Sequence, residues 1–201
     1  MKKTTSLALA CCAAFLAQVG ISSYLPAVPV IARSLLAAED HVALALAVYL
    51  MGMALPMLLW GSLGERFGRK PVLLAALAVY ASASAAIPSA FNVESFLSLR
   101  LIQGVGAGGV SVMARLLVRD SFSGALLARG LSWLGMTFVI ALCIGQFMGS
   151  LLQVAFGWKA IFYGLAISAV TLIAVLQRVV FPTVMKADSP DSAWRIYATI
   201  V

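Results

Sequence analysis

The chain has 201 residues, 63% of them hydrophobic and 10% charged, with a net charge of +7 and a mean hydropathy of +1.04. A soluble domain of that size could not supply the polar exterior it needs, so lipid must be the solvent for most of the chain. A span takes roughly 20 apolar residues, which leaves room for about six, and the runs do not alternate as barrel strands would. The expectation is an all-α integral membrane protein with both ends in the cytoplasm.

The first apolar run covers 7–31 and is broken by Pro26 and Pro29. Lys2 and Lys3 precede it as in a secretory signal, and Ala8-Leu9-Ala10 offers small residues. The run continues far past any such cleavage point, however, so it reads as a first span. Further runs follow at 42–63, 71–87, 96–118 (with Arg100 inside), 131–155 and 160–180. Turn signals separate them at Glu39-Asp40, 64–69, 88–94, 120–124 and Gly157-Trp158-Lys159. Connections this short make successive helices antiparallel neighbours. The chain thus divides into a six-helix domain, 1–180, and a polar tail, 181–201. The tail regains Trp194, Ile196 and Tyr197, as an interfacial helix, an inter-half linker or the start of a seventh span would.

Lys and Arg placement sets the orientation. With the amino terminus inside, Lys2, Lys3, Arg66, Arg69, Lys70, Arg115, Arg119, Arg129, Arg178, Lys186 and Arg195 are cytoplasmic. Only Arg33 and Lys159 fall outside, and Arg100 lies in the membrane. The same bias explains the positive charge without a nucleic-acid partner. Cys11, Cys12 and Cys143 sit in apolar runs without metal or redox spacing, and His41 stands beside Glu39 and Asp40 at a helix start. No metal site, cofactor or enzyme active site is expected. No span pairs a nucleophile with a base, and the phosphate-cradling Gly-x-x-x-x-Gly-Lys-Ser/Thr is missing.

The segment joining the second and third runs reads Gly61-Ser62-Leu63-Gly64-Glu65-Arg66-Phe67-Gly68-Arg69-Lys70-Pro71. Its charge alone supports only a basic cytoplasmic turn. The full pattern resembles the loop signature of the major facilitator superfamily, with Glu65 where aspartate is usual. The resemblance implies a gating motif of Gly61, Glu65, Arg66, Gly68, Arg69 and Lys70, and a charge relay of Glu65, Arg69 and Asp120 that locks the inner gate. In the fourth run, Arg100-Leu101-Ile102-Gln103-Gly104-Val105-Gly106 matches an R-x-x-Q-G-x-G pattern of proton-coupled facilitators. A guanidinium there costs at least roughly 2.5–3.5 kcal/mol at the centre of a span, so it either snorkels outward or faces a polar cavity. Gly104, Gly106 and Gly108 suit close helix packing.

Tyr24-Leu25-Pro26-Ala27-Val28-Pro29, Leu59-Trp60-Gly61, Arg119-Asp120 and Gly157-Trp158-Lys159-Ala160-Ile161-Phe162 narrow the resemblance to the Bcr/CflA group of drug:proton antiporters. It covers residues 15–180 and implies the amino-terminal, six-helix half of a major facilitator fold in a bacterial inner membrane. Three departures stand out. Ser22 and Ser23 occupy positions where many members carry an aspartate, and Pro56 stands where glutamine is common. Gly145-Gln146-Phe147-Met148-Gly149-Ser150 lacks the proline of the antiporter signature. No acid lies inside any run, so proton coupling is implied by the resemblance alone.

Facilitator substrates bind between two such halves, and Gln18, Ser22, Tyr24, Gln103 and Gln146, with Arg100, are the candidate cavity residues. Ordinary polar contacts between helices are the competing account of each. The implied function is secondary active efflux of amphipathic small molecules, multidrug or otherwise, with protons as the coupling ion. The partners are the bilayer, the substrate and a second six-helix half or another copy of the chain. The alternative is a non-transporting truncated membrane protein, or an assembly partner of a full transporter. Because the tail stops where a seventh run would begin, the expectation favours a truncated piece.

Overall fold

The computed structural model describes residues 3–178, with side chains from Thr5 onward. The expected tail 181–201, with Lys186 and Arg195, lies outside the described residues, as does Lys2. Those described form helices α1 (Lys3–Ser22), α2 (Val28–Ser34), α3 (Glu39–Ala54), α4 (Met57–Arg66), α5 (Arg69–Ala86), α6 (Val93–Ser121), α7 (Gly124–Phe156) and α8 (Trp158–Arg178), with no strand among them. They make six helical stretches long and apolar enough to cross a membrane: Thr5–Ser34, Glu39–Arg66, Arg69–Ser89, Val93–Ser121, Gly124–Phe156 and Trp158–Arg178.

Each departure from a straight rod has a local cause. Pro26 and Pro29 cannot donate backbone hydrogen bonds, so the first span passes through a 3-10 turn, Leu25–Ala27, before α2 resumes. Pro56 likewise interrupts the second span, which passes through a turn at Leu55-Pro56 between α3 and α4. Gly68 (φ 92°) and Gly157 (φ 82°) adopt left-handed backbone at the turns into α5 and α8, where a Cβ would be strained. Asn92 opens α6 with a capping box: its Oδ1 accepts from the Ser95 amide at 2.8 Å, and Ser95 Oγ accepts from the Asn92 amide at 3.3 Å.

Most of the spans outrun the apolar stretches at their ends. Glu39, Asp40 and His41 open α3 instead of forming a loop, and α6 continues through Arg119 and Asp120. Hydropathy marks the part that sits in lipid, whereas the helix persists into the polar margin as long as its backbone bonds are made. Two acids in the first turn of α3 also suit the positive end of its dipole.

The fourth span is the axis of the unit. It packs against α1, α3 and α5, while α7 lies on α1 and α8 on α5. In its most apolar stretch 67% of the residues are buried, against 17% in the fifth, so the fifth presents most of its surface outward. Glycines permit the close crossings. Side chains at Gly104 and Gly108 would collide with the carbonyls of Tyr49 and Met53 on α3. A Cβ on Gly106 would stand 2.6 Å from the Tyr80 nitrogen on α5. Gly145 and Gly149 of α7 play the same part against Val19 and Ser23 of the first span. The glycines of the fourth run therefore serve packing, as their spacing suggests.

Candidate functional site

Arg100 stands on the third turn of α6, about 10 Å from its start at 1.5 Å per residue. The crossing of α6 with the first and second spans encloses it completely: its relative exposure is 0%. It neither snorkels nor opens onto a cavity. Nη1 donates to the Gly20 carbonyl at 3.0 Å and to Gln103 Oε1 at 2.7 Å. Gln103 Nε2 donates in turn to Ser84 Oγ at 2.8 Å, and Ser84 Oγ donates to the Tyr80 carbonyl at 2.7 Å. One chain of bonds thus runs from the first span through the fourth to the third.

Aromatic faces complete the enclosure. The guanidinium carbon lies 4.3 Å from the Tyr24 ring centroid, 4.5 Å from that of Tyr49 and 5.9 Å from that of Phe162. Phe162 belongs to an edge-to-face trio with Phe96 and Trp158, at centroid separations of 6.0–6.5 Å, which ties α6 to α8. Tyr49 Oη donates to the Ala17 carbonyl at 2.8 Å and Tyr80 Oη to that of Leu16 at 3.3 Å, so α3 and α5 are both tethered to α1.

The cluster is incompletely satisfied. Arg100 Nε and Nη2, Tyr24 Oη and Ser23 Oγ are buried without a hydrogen-bond partner. Among the described residues the only ion pair is elsewhere, so Arg100 has no carboxylate counter-charge. Rings contribute about 0.5–2 kcal/mol each to a cation, but a buried charge lacking its opposite remains a net cost to the fold.

Three segments singled out separately in the sequence, around Tyr24, Arg100-Gln103 and Trp158-Phe162, therefore meet at one guanidinium. The remaining candidates do not join them in a shared opening. Ser22 donates to the Leu142 carbonyl of α7 at 2.9 Å, and Gln18 is buried with no hydrogen bond to the described residues. Gln146 is exposed on α7. Sequence reasoning missed Tyr49, Tyr80, Ser84 and Gly20. The available signal was a lone tyrosine in each of the second and third apolar runs, since a buried tyrosine hydroxyl needs a partner.

At the other end of α6, Arg69 Nε pairs with Asp120 Oδ2 at 2.8 Å. Arg69 is 6% exposed and leaves Nη1 without a partner, while the Asp120 side chain is 27% exposed. Glu65 is exposed on the last turn of α4 and makes no ion pair, so the structure joins two members of the expected relay and leaves the third apart. Lys70 Nζ donates to the Gln177 carbonyl at 3.2 Å, bonding the end of α8 to the start of α5. Arg66 is exposed, its guanidinium 5.3 Å from the Phe67 ring. A Cβ on Gly61 would have no atom within 4 Å, unlike one on the glycines of α6. Trp60 beside it donates from Nε1 to the Val105 carbonyl at 3.0 Å, fastening α4 to α6.

Six apolar spans, a glycine-bearing fourth among them as the axis, with one charge enclosed at depth and an ion pair at one end, define a polytopic membrane unit. The family model of the Major Facilitator Superfamily matches residues 10–198, and the chain belongs to that superfamily. Multidrug resistance protein MdtL of Shewanella sp. (strain ANA-3) is 36% identical over 170 residues, which cover 84% of this chain and 43% of that protein. MdtL of Salmonella schwarzengrund (strain CVM19633) is 39% identical over 144 residues, 72% of this chain and 36% of that one. The chain spans less than half the length of these curated relatives. Among solved structures, the proton:xylose symporter XylE bound to 6-bromo-6-deoxy-D-glucose superposes with a TM-score of 0.77 at 17% identity, over 99% of this chain and 50% of that one. A D-xylose-proton symporter gives 0.74 at 18% identity, over 99% and 54%. The fold is thus the six-helix half of a major facilitator.

Proposed function

We propose that this six-helix unit forms one wall of a secondary transporter that exports amphipathic small molecules in exchange for protons across a bacterial inner membrane. The observation that carries the reading is Arg100, a charge enclosed at depth without a counter-charge. Its hydrogen bonds and ring contacts join helices but supply no counter-charge, and ionisable residues within spans mark transport pathways. The MdtL relatives, named for multidrug resistance, supply the substrate class. The second wall is a further six-helix half, to which the largely outward-facing fifth span is available.

Arg100 acts in this reading through the crossing it occupies. It links the first, second and fourth spans, so a change in its contacts moves the helices that line the pathway. Ser22, Tyr24, Gln18 and Gln103 then act by holding those helices, and Gln146 is the polar side chain free to meet substrate or the second half. The Arg69–Asp120 pair clamps the cytoplasmic end, with Glu65 engaging only in another conformation.

Efflux of a fluorescent cationic dye from energised cells tests the proposal. The cells make this chain together with the second six-helix half of the Shewanella relative. Dye loss that collapses with an uncoupler is the expected result. Retention equal to that of cells without the chain, with both halves present in the membrane, would contradict it.

A further inference from the structure

The two halves of the second span are held to the bundle unequally. α3 buries Val42, Ala45, Tyr49, Gly52 and Met53, whereas Gly64 is the one buried residue of α4. The turn at Leu55-Pro56 separates them, and Pro56 offers no N–H to carry the hydrogen-bond ladder across it. α4 is therefore free to move on α6 without drawing α3 out of the core.

Two side-chain fits seat α4 on α6. The Trp60 indole lies over Gly109, where a Cβ would stand 2.7 Å from Cε2, and its Nε1 donates to the Val105 carbonyl at 3.0 Å. One turn further along both helices the sizes are exchanged. Gly64 is now the small partner, and a Cβ there would stand 2.6 Å from Cε and 3.0 Å from Sδ of Met113, which is fully buried. Large meets small at 60 and 109, and small meets large at 64 and 113. A slip of one turn that brought Trp60 onto Met113 would collide, so the pairs select one register.

The same seat closes over the ion pair. A Cβ on Gly64 would also lie 3.2 Å from Arg69 Nη1, so the bare backbone of α4 covers the guanidinium whose Nε pairs with Asp120. Nη1 is buried there without a hydrogen-bond partner, and an unmade donor works against the closed state. Lifting α4 would return Nη1 to water.

We propose that α4 is a hinged cover over the Arg69–Asp120 pair, turning at Leu55-Pro56, and that Trp60 and Gly64 are the positioning residues that seat it. The proposal rests on the reading of that pair as the cytoplasmic clamp. Docked, α4 shields the clamp; lifted, it opens Arg69 to water.

Arginine modification by phenylglyoxal, read by mass spectrometry on the full chain in bilayers, tests the cover without calling on transport. Arg66, exposed on α4, and Arg100, enclosed in the core, serve as internal references. In the parent Arg69 should react more slowly than Arg66. Trp60→Phe removes the bond to Val105 and should speed Arg69 roughly fivefold, the weight of one hydrogen bond, with Arg100 unchanged. Gly64→Ala should also speed Arg69, and Met113→Ala in the same chain, which clears the thioether from that space, should slow it again. An Arg69 rate that Trp60→Phe leaves as it was, or that rises only together with Arg100, would overturn the proposal. Failure of dye efflux by the paired halves, with these rates as expected, would strike the transport reading and leave the cover standing.

Discussion

At Gly104 and Gly108 the carbonyls of Tyr49 and Met53 occupy the space a side chain would need. The obstruction is backbone and cannot rotate away, so Gly104→Ala must separate α3 from α6. Overpacking of that kind costs about 1–3 kcal/mol. Gly61→Ala meets no neighbour within 4 Å and sits inside α4. Its effect should be neutral, or stabilising by up to about 1 kcal/mol through helix propensity. Thermal unfolding of the two variants in detergent compares them directly, and equal melting temperatures would contradict the packing account. The packing glycines of α6 were legible from their spacing in an apolar run. That Gly61, inside a recognisable motif, packs against nothing could not be read, because the motif fixes residue types and not neighbours.

The junction of α5 and α6 shows what an element contributes. Arg69 opens α5 and Asp120 ends α6, so one ion pair fixes the ends of two long helices. Asp120→Asn leaves a guanidinium that is 6% exposed without its counter-charge. Discounted for the partly exposed carboxylate, the loss should be about 1–3 kcal/mol. Glu65→Gln removes an exposed acid with no ion pair and should fall within about 0.5 kcal/mol of the parent. Similar losses from the two substitutions would restore Glu65 to the relay in this conformation. Span number and order were legible because about 20 apolar residues are what a bilayer demands. Span ends were not, since helix hydrogen bonding outlasts hydropathy at Glu39 and at Asp120. The break at Pro56 was open to prediction from the missing N–H alone.

For the whole molecule, the basic residues at 66–70, 115–129 and 178 gather at one end of the bundle, against Arg33 and Lys159 at the other. From the positive-inside rule we propose that both ends of the described unit face the cytoplasm. Alkaline phosphatase fused after Ala90 should be active and after Gly124 inactive; the reverse pattern would invert the topology. The convergence of Tyr24, Tyr49, Arg100 and Phe162 was not legible, although Tyr24, Arg100 and Phe162 each lie in a segment singled out beforehand. Hydropathy gives the depth of a residue along a helix, but not its angular register against three others.

That convergence bears the central claim, that Arg100 is held at a cost to the fold because transport uses its charge. Thermal unfolding of Arg100→Met, read beside dye efflux by the same protein, tests it most directly. The account predicts an unchanged or raised melting temperature, because an apolar side chain of similar length removes an uncompensated buried charge, together with loss of efflux. A melting temperature lowered by several degrees, with efflux falling only as far as the amount of folded protein, would make Arg100 a structural strut and contradict the claim.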